Sequence, residues 1–464
     1  MNKDSKYTPK QGHIVLFIIM SLIAIFLFMA LIPDGGGAFN IPLGYAISWV
    51  GSQINSVVVA EHGLLYLIAT LLITISFLGS LLAYTVKPAF IMENKTLKAL
   101  FACNIVYFVS KAIAVAVAWM VFLSVGPDWL IASFTGDLMM ELIAAGGSNL
   151  MSIFIVLGIA IPILTDFGLM EFLGILIRKV IRVLFTLPGR SSIDLLGSWF
   201  SSSAASVIIT RDQHEKGFYT GREAAAICVN FTLVSLPFTF VIASTVNMLE
   251  FFPWFYLVIT VTTLLLAVIM PRIWPLRGIK DEYLPDVGKQ IDENVPANTS
   301  MFKWAVNSAS KRADEASAQS VIKSGLSNWL NIFMDLIPVI LAWGTIALIL
   351  NEFTPVFDWL SWPFRWYLEL FRVADAAAVA PATIVGFIDM FIPAIIVGGN
   401  EYIETRFIIG ALSIVQIIYL AETGILILKS KIPLHIGHLA IIFLMRTIFA
   451  LPVIVLLTRI LPIF

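Results

Sequence analysis

A chain of 464 residues that is 59% hydrophobic and 13% charged carries about half the charge of a soluble domain, where roughly 25% of residues are Asp, Glu, Lys or Arg. Its apolar residues fall in repeated runs long enough to cross a bilayer, which predicts an all-α polytopic membrane protein with a mean hydropathy of +0.93. The net charge of −1 offers no basic patch for nucleic acid, Cys103 and Cys228 give neither metal spacing nor a disulfide framework, and no phosphate-binding G-x-x-x-x-G-K-[ST] loop occurs, so no cofactor is expected.

In chain order the apolar runs predict nine full spans, at about 13–33, 63–86, 99–125, 149–167, 222–246, 253–271, 327–352, 404–428 and 434–462. The first is too long for a signal-peptide core and no small-residue cleavage site follows it, so it reads as a span. The segment 272–326 holds Pro285, Pro296 and mixed charge, and reads as a solvated cytoplasmic loop with room for a short helix. Two further segments, 168–188 with Arg178, Lys179 and Arg182, and 355–373 with Trp359, Trp362, Trp366 and Tyr367, read as amphipathic helices lying along a membrane surface.

Lys and Arg beside the spans set the orientation. They gather before span one (Lys3, Lys6, Lys10), between spans two and three (Lys87, Lys95, Lys98), after span four (Arg178, Lys179, Arg182, Arg190), after span six (Arg272, Arg277) and after span eight (Lys429, Lys431). Residues 34–62 and 126–148 carry none. The N-terminus is therefore expected in the cytoplasm and the C-terminus outside. A full crossing by 191–210 would invert every later loop. The stretch "GSWFSSSAASVIITRDQ", from Gly197, is accordingly read as part of a re-entrant hairpin that opens from the cytoplasm, with its tip near Ser201, Ser202 and Ser203. Broken backbone at membrane depth is tolerated only where protein or a cavity surrounds it, and hydroxyls can satisfy the groups it frees.

The chain repeats itself weakly. "NLMSIF" at 149 matches "NWLNIF" at 328, "ILTDF" at 163 matches "ILNEF" at 349, "GSWFSSSAASVII" at 197 matches "GFIDMFIPAIIVG" at 386, and "GRE" at 221 matches "TRF" at 405, at offsets of 179, 186, 189 and 184. A unit of three crossings plus a hairpin is odd, so the second copy is expected to be inverted, with its hairpin, about 377–399, opening from outside beside Glu401 and Glu404. The expected divisions are N-terminal spans 1–148, a first repeat 149–271, the loop 272–326 and a second repeat 327–464. Inverted repeats with broken helices near the midplane are the architecture of secondary transporters.

This layout resembles the Gate domain shared by concentrative nucleoside transporters, FeoB-type iron transporters and the spore maturation proteins. The stretch "LPGRSSIDLLGSWFSSSAASVIITRDQHEKGFYTGREAAAICVNFTLVSLPF" is similar to the first Gate hairpin of the YjiH group of bacterial inner-membrane proteins, and the resemblance covers about 149–464. It implies a bacterial inner-membrane protein that moves a small solute. The chain departs from the nucleoside transporters in offering only hydroxyls at its first tip, and from FeoB-type proteins in lacking a GTPase loop.

Candidate substrate-binding residues are Ser201, Ser202, Ser203 and Ser206 at the first tip, Asn230 and Thr232 in span five, Asp389 in the second hairpin, and Ser413 and Gln416 in span eight. Cys228, Thr232, Ser235 and Thr239 recur at i, i+4, i+7 and i+11, one face of a continuous helix that Pro237 would kink. Ser235, Thr239, Glu422 and Asp389 are the candidates for coupling to Na⁺ or H⁺. Asp389 is the sharpest: a carboxylate flanked by "VGFI" and "MFIP" costs about 2.5–3.5 kcal/mol at a helix centre. It is either functional or paired with Arg446 or Lys111. Asp166 is expected to face the start of the helix that follows it. No nucleophile–base pair stands out, so the chain is not expected to be an enzyme. The expected function is ion-coupled secondary transport of a small polar organic solute (nucleoside-, amino-acid- or peptide-like). The alternative is a membrane scaffold without transport. The expected partners are that small-molecule substrate, the lipid bilayer and, in a homo-oligomer, further copies of the chain.

Overall fold

The computed structural model describes residues 10–30, 32–33, 39–59, 62–103, 105–127, 143, 150–200, 203–231, 236–285, 300–331, 333–334 and 337–462. The fold is helical. The only strands among these residues are two-residue antiparallel ladders, β1 (Ile32–Pro33) with β2 (Phe39–Asn40) and β3 (Val58–Val59) with β4 (His62–Gly63). The helices are α1 (Gln11–Met29), α2 (Pro42–Asn55), α3 (Leu64–Thr85), α4 (Ala89–Met92), α5 (Lys95–Phe101), α6 (Ile105–Phe122), α7 (Leu150–Thr165), α8 (Leu169–Phe185), α9 (Ser191–Phe200), α10 (Ser203–Glu215) and α11 (Gly221–Asn230). They continue with α12 (Leu236–Thr245), α13 (Phe252–Ile269), α14 (Met301–Glu315), α15 (Ala318–Asn331), α16 (Ile337–Phe353), α17 (Val356–Leu370), α18 (Ala376–Val385), α19 (Phe391–Gly398), α20 (Ile403–Val415), α21 (Ile425–Leu428) and α22 (Ile436–Ile460).

Five of the nine spans read from the sequence are helices long and apolar enough to cross a membrane: Gln11–Phe28, Leu64–Thr85, Ile105–Phe122, Leu249–Gly278 and Ile436–Ile460. Among the described residues the other four are not single helices of that length. α7, over 149–167, has 16 residues. The runs 222–246 and 327–352 are described as α11 and α12 and as α15 and α16, with residues 232–235, 332 and 335–336 outside the described residues, and the run 404–428 divides into α20, a non-helical stretch, a π-helical turn Leu420–Gly424 and α21. Hydropathy reports an apolar run but not whether its backbone stays helical. A ten-residue helix is about 15 Å long, half the hydrocarbon thickness of about 30 Å. The solvated loop 272–326 holds more helix than expected, in α14 and the start of α15.

The chain forms two compact units. One comprises Ala30–Ala160 and Gln319–Trp359. In it α6 packs against α3 and α16. Polar side chains tie these apolar helices together: Trp119 Nε1 donates to Thr74 Oγ1 at 2.8 Å and Trp343 Nε1 to Ser110 Oγ at 3.0 Å. The Ser76 hydroxyl donates to the carbonyl of Met334, which precedes α16. Lys111 is fully buried and its ammonium donates to Ser80 Oγ at 3.1 Å and to the Leu100 carbonyl at 3.3 Å.

The other unit comprises Met1–Met29, Ile161–Ala318 and Leu360–Phe464. Its first layer is α8, which carries its cations along one side and packs against α1-bearing α14 and against α9. The Arg178 guanidinium lies over the Trp304 ring at 4.8 Å from its centroid. Asp166 does not serve the start of α8 as expected. Its carboxylate accepts from Arg312 Nη2 at 3.2 Å, and Arg312 also lies 3.8 Å from Glu171, whose carboxyl is pushed up by burial. The second hairpin, α18 and α19, packs on α12 and α20, and α13 packs on α20 and α22. The amphipathic α17 leaves Trp359, Trp362 and Trp366 exposed, the pattern of a helix at a membrane interface.

The entry to α8 depends on a glycine. Gly168 has φ +94°, and a Cβ there would stand 2.3 Å from the Ala309 carbonyl oxygen of α14. Gly168→Ala should therefore combine the left-handed backbone penalty of about 1–2 kcal/mol with a backbone overlap. The expected outcome is a lower melting temperature of the purified protein in detergent, with α8 and α14 losing hydrogen-exchange protection first. Unchanged protection would show that this crossing is not a tight constraint.

Candidate functional site

Both candidate hairpins are pairs of short helices. α9 and α10 pack together, as do α18 and α19, and each pair lies beside a broken helix. The first pair is joined through residues 201–202, so Ser201 and Ser202 lie outside the described residues, as do Thr232 and Ser235 at the break between α11 and α12. Ser203, Ser206 and Thr239 are described and buried. Glu422 falls in the π-helical turn, and its side chain is outside the described residues.

The polar face expected from Cys228 to Thr239 is not one helical face. α11 stops at Asn230 and the next helix is described from Leu236, so Cys228 and Thr239 sit on different helices. Pro237 lies near this division, and inside a continuous helix it would remove a hydrogen bond and clash one turn back. α11 itself starts on a capping box: Thr220 Oγ1 accepts from the Glu223 N–H at 3.2 Å, and Glu223 Oε2 accepts from the Thr220 N–H at 2.8 Å.

The second broken helix has no proline at its break. α20 ends at Val415, and Ile417 adopts φ +64°, which is strained for a β-branched residue. The freed backbone groups find partners one by one. Tyr419 Oη donates to the carbonyls of Ser413 at 3.1 Å and Ile414 at 2.8 Å, and Thr423 Oγ1 lies 3.3 Å from the Tyr419 carbonyl. The Val415 carbonyl goes to Arg446, discussed below. The Ser413 hydroxyl donates to the Gly410 carbonyl at 2.8 Å, one turn back in its own helix.

Gln416 couples this break to the second hairpin. Its Nε2 donates to the Thr383 carbonyl at the end of α18 and to Thr447 Oγ1 on α22, both at 2.8 Å. The Leu420 N–H donates to the Phe387 carbonyl in the hairpin turn at 2.8 Å, and the Phe387 ring lies 5.2 Å from that of Phe443. Gly386 permits this approach, since a Cβ there would stand 2.2 Å from Gln416 Oε1. That oxygen is buried and has no hydrogen-bond partner among the described residues.

Asp389 occupies the turn between α18 and α19 and is buried. Its Oδ1 accepts from the Phe391 N–H at 2.8 Å, which fixes the start of α19. Neither expected cation partner is used. Lys111 is committed to Ser80 and Leu100, and Arg446 donates to Val415, Val229 and Asn230. Among the described residues Asp389 has no ion pair, and no group of three His, Cys, Asp or Glu could hold a metal.

The structure thus brings together Asn230, Gln416 and Arg446, with the hairpin turn carrying Asp389 latched to the same break. Sequence reasoning treated Arg446 only as a partner for Asp389, and did not single out Thr383 or Thr447. The signal for Arg446 was present, because it is the sole charged side chain between His438 and Arg459.

Gln416→Ala removes both amide hydrogen bonds of the latch. The expected cost is about 1–3 kcal/mol, with hydrogen exchange accelerated over 376–398 more than over α13. Exchange that rises equally in both places would place the latch elsewhere.

A family model for Gate, nucleoside recognition, matches residues 147–249, which takes in the first hairpin and the first broken helix. A solved structure of CNTnw, a concentrative nucleoside transporter, in an intermediate state is similar to 97% of this chain and 99% of its own, at 14% identity and a TM-score of 0.41. An uncharacterized protein of Alkalihalophilus pseudofirmus is 41% identical over 442 residues, 95% of this chain and 93% of that protein. The chain is a multi-pass membrane protein with a Gate domain, and it belongs to the same family as the Alkalihalophilus pseudofirmus protein.

Proposed function

We propose that the chain is an ion-coupled secondary transporter of a small polar organic solute, nucleoside-, amino-acid- or peptide-like, in the bacterial inner membrane. The observation that carries this reading is the latch between the second hairpin and the broken helix. A helix pair too short to cross is held at its turn by one side-chain amide and one backbone N–H. Beside it stand a buried carboxylate without an ion pair among the described residues and a buried amide oxygen without a partner. These are groups a polar solute would engage and a moving gate would release. The match to the nucleoside-recognition Gate model over 147–249 supports the same reading for the first hairpin.

In this reading the two repeats are inverted and the hairpins are re-entrant from opposite faces, with the N-terminus in the cytoplasm. Solute binds between the tips, against Ser201, Ser202, Ser203 and Ser206 on one side and Asp389 and Gln416 on the other. Rigid movement of the hairpins then exposes it to each side in turn.

Proteoliposomes test this directly. With an inward Na⁺ or H⁺ gradient, radiolabelled nucleosides, amino acids and short peptides are offered in turn, and gradient-driven uptake or exchange of at least one is expected. Failure of every solute under both gradients would end the transport reading. Asp389→Asn should reduce gradient-driven uptake by at least about tenfold, since a carboxylate at this depth costs several kcal/mol to keep. Unchanged uptake removes Asp389 from the mechanism.

Accessibility separates a pathway from a scaffold. Ser202→Cys and Met390→Cys, each made in a cysteine-free background, should react with a small aqueous thiol reagent during turnover. Protection of both would favour a membrane scaffold.

A further inference from the structure

Arg446 lies within α22 and is fully buried. Its Nε and Nη2 donate to the Val415 carbonyl at 3.0 and 2.7 Å, and its Nη1 donates to the Val229 carbonyl at 3.1 Å and to Asn230 Oδ1 at 2.9 Å. No carboxylate pairs with it among the described residues.

The two carbonyls are not arbitrary acceptors. Val229 and Val415 sit in the last turns of α11 and α20, the helices that stop at the two breaks. Carbonyls in a last turn have no intrahelical partner, and each helix C-terminal end carries about half an elementary negative charge. Two such ends therefore offer roughly one negative charge in all, which one guanidinium neutralises. Val229-Asn230 and Val415-Gln416 are also equivalent in the repeat, a valine followed by a carboxamide at an offset of 186. A single cation thus sits at the meeting point of both repeats.

In transporters built from inverted repeats, half-helix C-terminal ends and unwound carbonyls are the groups that coordinate a dissociable coupling cation. Here the same groups already hold a covalently tethered one. We infer that Arg446 is a resident cation filling the place between the ends of α11 and α20, so that no metal cation binds there. Within the transport reading, on which only this corollary rests, coupling does not run through a Na⁺ at that position. The guanidinium also joins both broken helices to α22, so the ends of the two half-helices move together.

Thermal unfolding in detergent tests the inference without any substrate, so a failure to find transport leaves it standing or falling on its own. Melting is followed in NaCl, KCl and choline chloride at equal ionic strength, with and without 10 mM (about) guanidinium chloride, well below denaturing levels. The wild type should melt at the same temperature in all three salts. Arg446→Ala should melt at least about 5 °C lower in choline chloride and recover most of the loss with guanidinium, which fits the vacated acceptors. A deficit that no cation reduces would overturn the inference, as would a saturable Na⁺-specific stabilisation of the wild type that disappears in Arg446→Ala.

Should Arg446→Ala not fold, Arg446→Lys and Arg446→Met decide. Charge replacement should retain more of the wild-type melting temperature than the apolar side chain of similar length. Met equal to or better than Lys would mean that the guanidinium is replaceable by packing, as some buried ionic groups are, and would equally overturn the inference.

Discussion

A helix that stops in apolar surroundings leaves backbone groups that water cannot reach, and each must be given a partner by the protein. That constraint organises the unit containing both hairpins. At the end of α20 the carbonyls of Ser413 and Ile414 go to the Tyr419 hydroxyl, that of Val415 to Arg446, and that of Tyr419 to Thr423. At the end of α11 the Val229 carbonyl goes to the same guanidinium. The breaks are therefore built features, supplied with donors from a neighbouring helix and from their own chain.

The same accounting shows how the buried polar side chains differ in their hydrogen bonding. Ser413 bonds back to Gly410, and Asn230 is shared between Ala226 and Arg446. Gln416 differs. Its amide nitrogen is committed to Thr383 and Thr447, and its oxygen lies against Gly386 with no hydrogen-bond partner among the described residues. Asp389 likewise spends one oxygen on the start of α19 while lacking a counter-charge among the described residues. The two carboxamides at the helix ends thus differ: Asn230 accepts from Arg446 and Gln416 reaches to the Thr383 carbonyl of α18.

Much of this was legible in the amino-acid order. Hydropathy located every apolar run, the basic loops marked 191–210 as a segment unlike a span, and the repeat placed its counterpart at 377–399, where the chain forms α18 and α19. The helix breaks were less legible. Pro237 signals a kink but not that α11 ends at Asn230, and nothing in "VQIIYL" announces an unwound stretch, because helix propensity differs by only tenths of a kcal/mol among such residues. The expected periodic face from Cys228 to Thr239 failed for that reason: a period has meaning only while the helix continues.

The sequence by itself determined the class of protein and the approximate positions of its apolar segments, because burial in lipid constrains composition and length residue by residue. Tertiary structure alone decided what the buried charges do. Arg446 and Asp389 look like natural partners in a one-dimensional reading, as opposite charges in apolar runs. In three dimensions the arginine answers the carbonyls of two interrupted helices, and the aspartate is left at the hairpin turn. The preference follows from where the backbone breaks, and it depends on contacts between segments 31 and 217 residues apart, which no local pattern encodes.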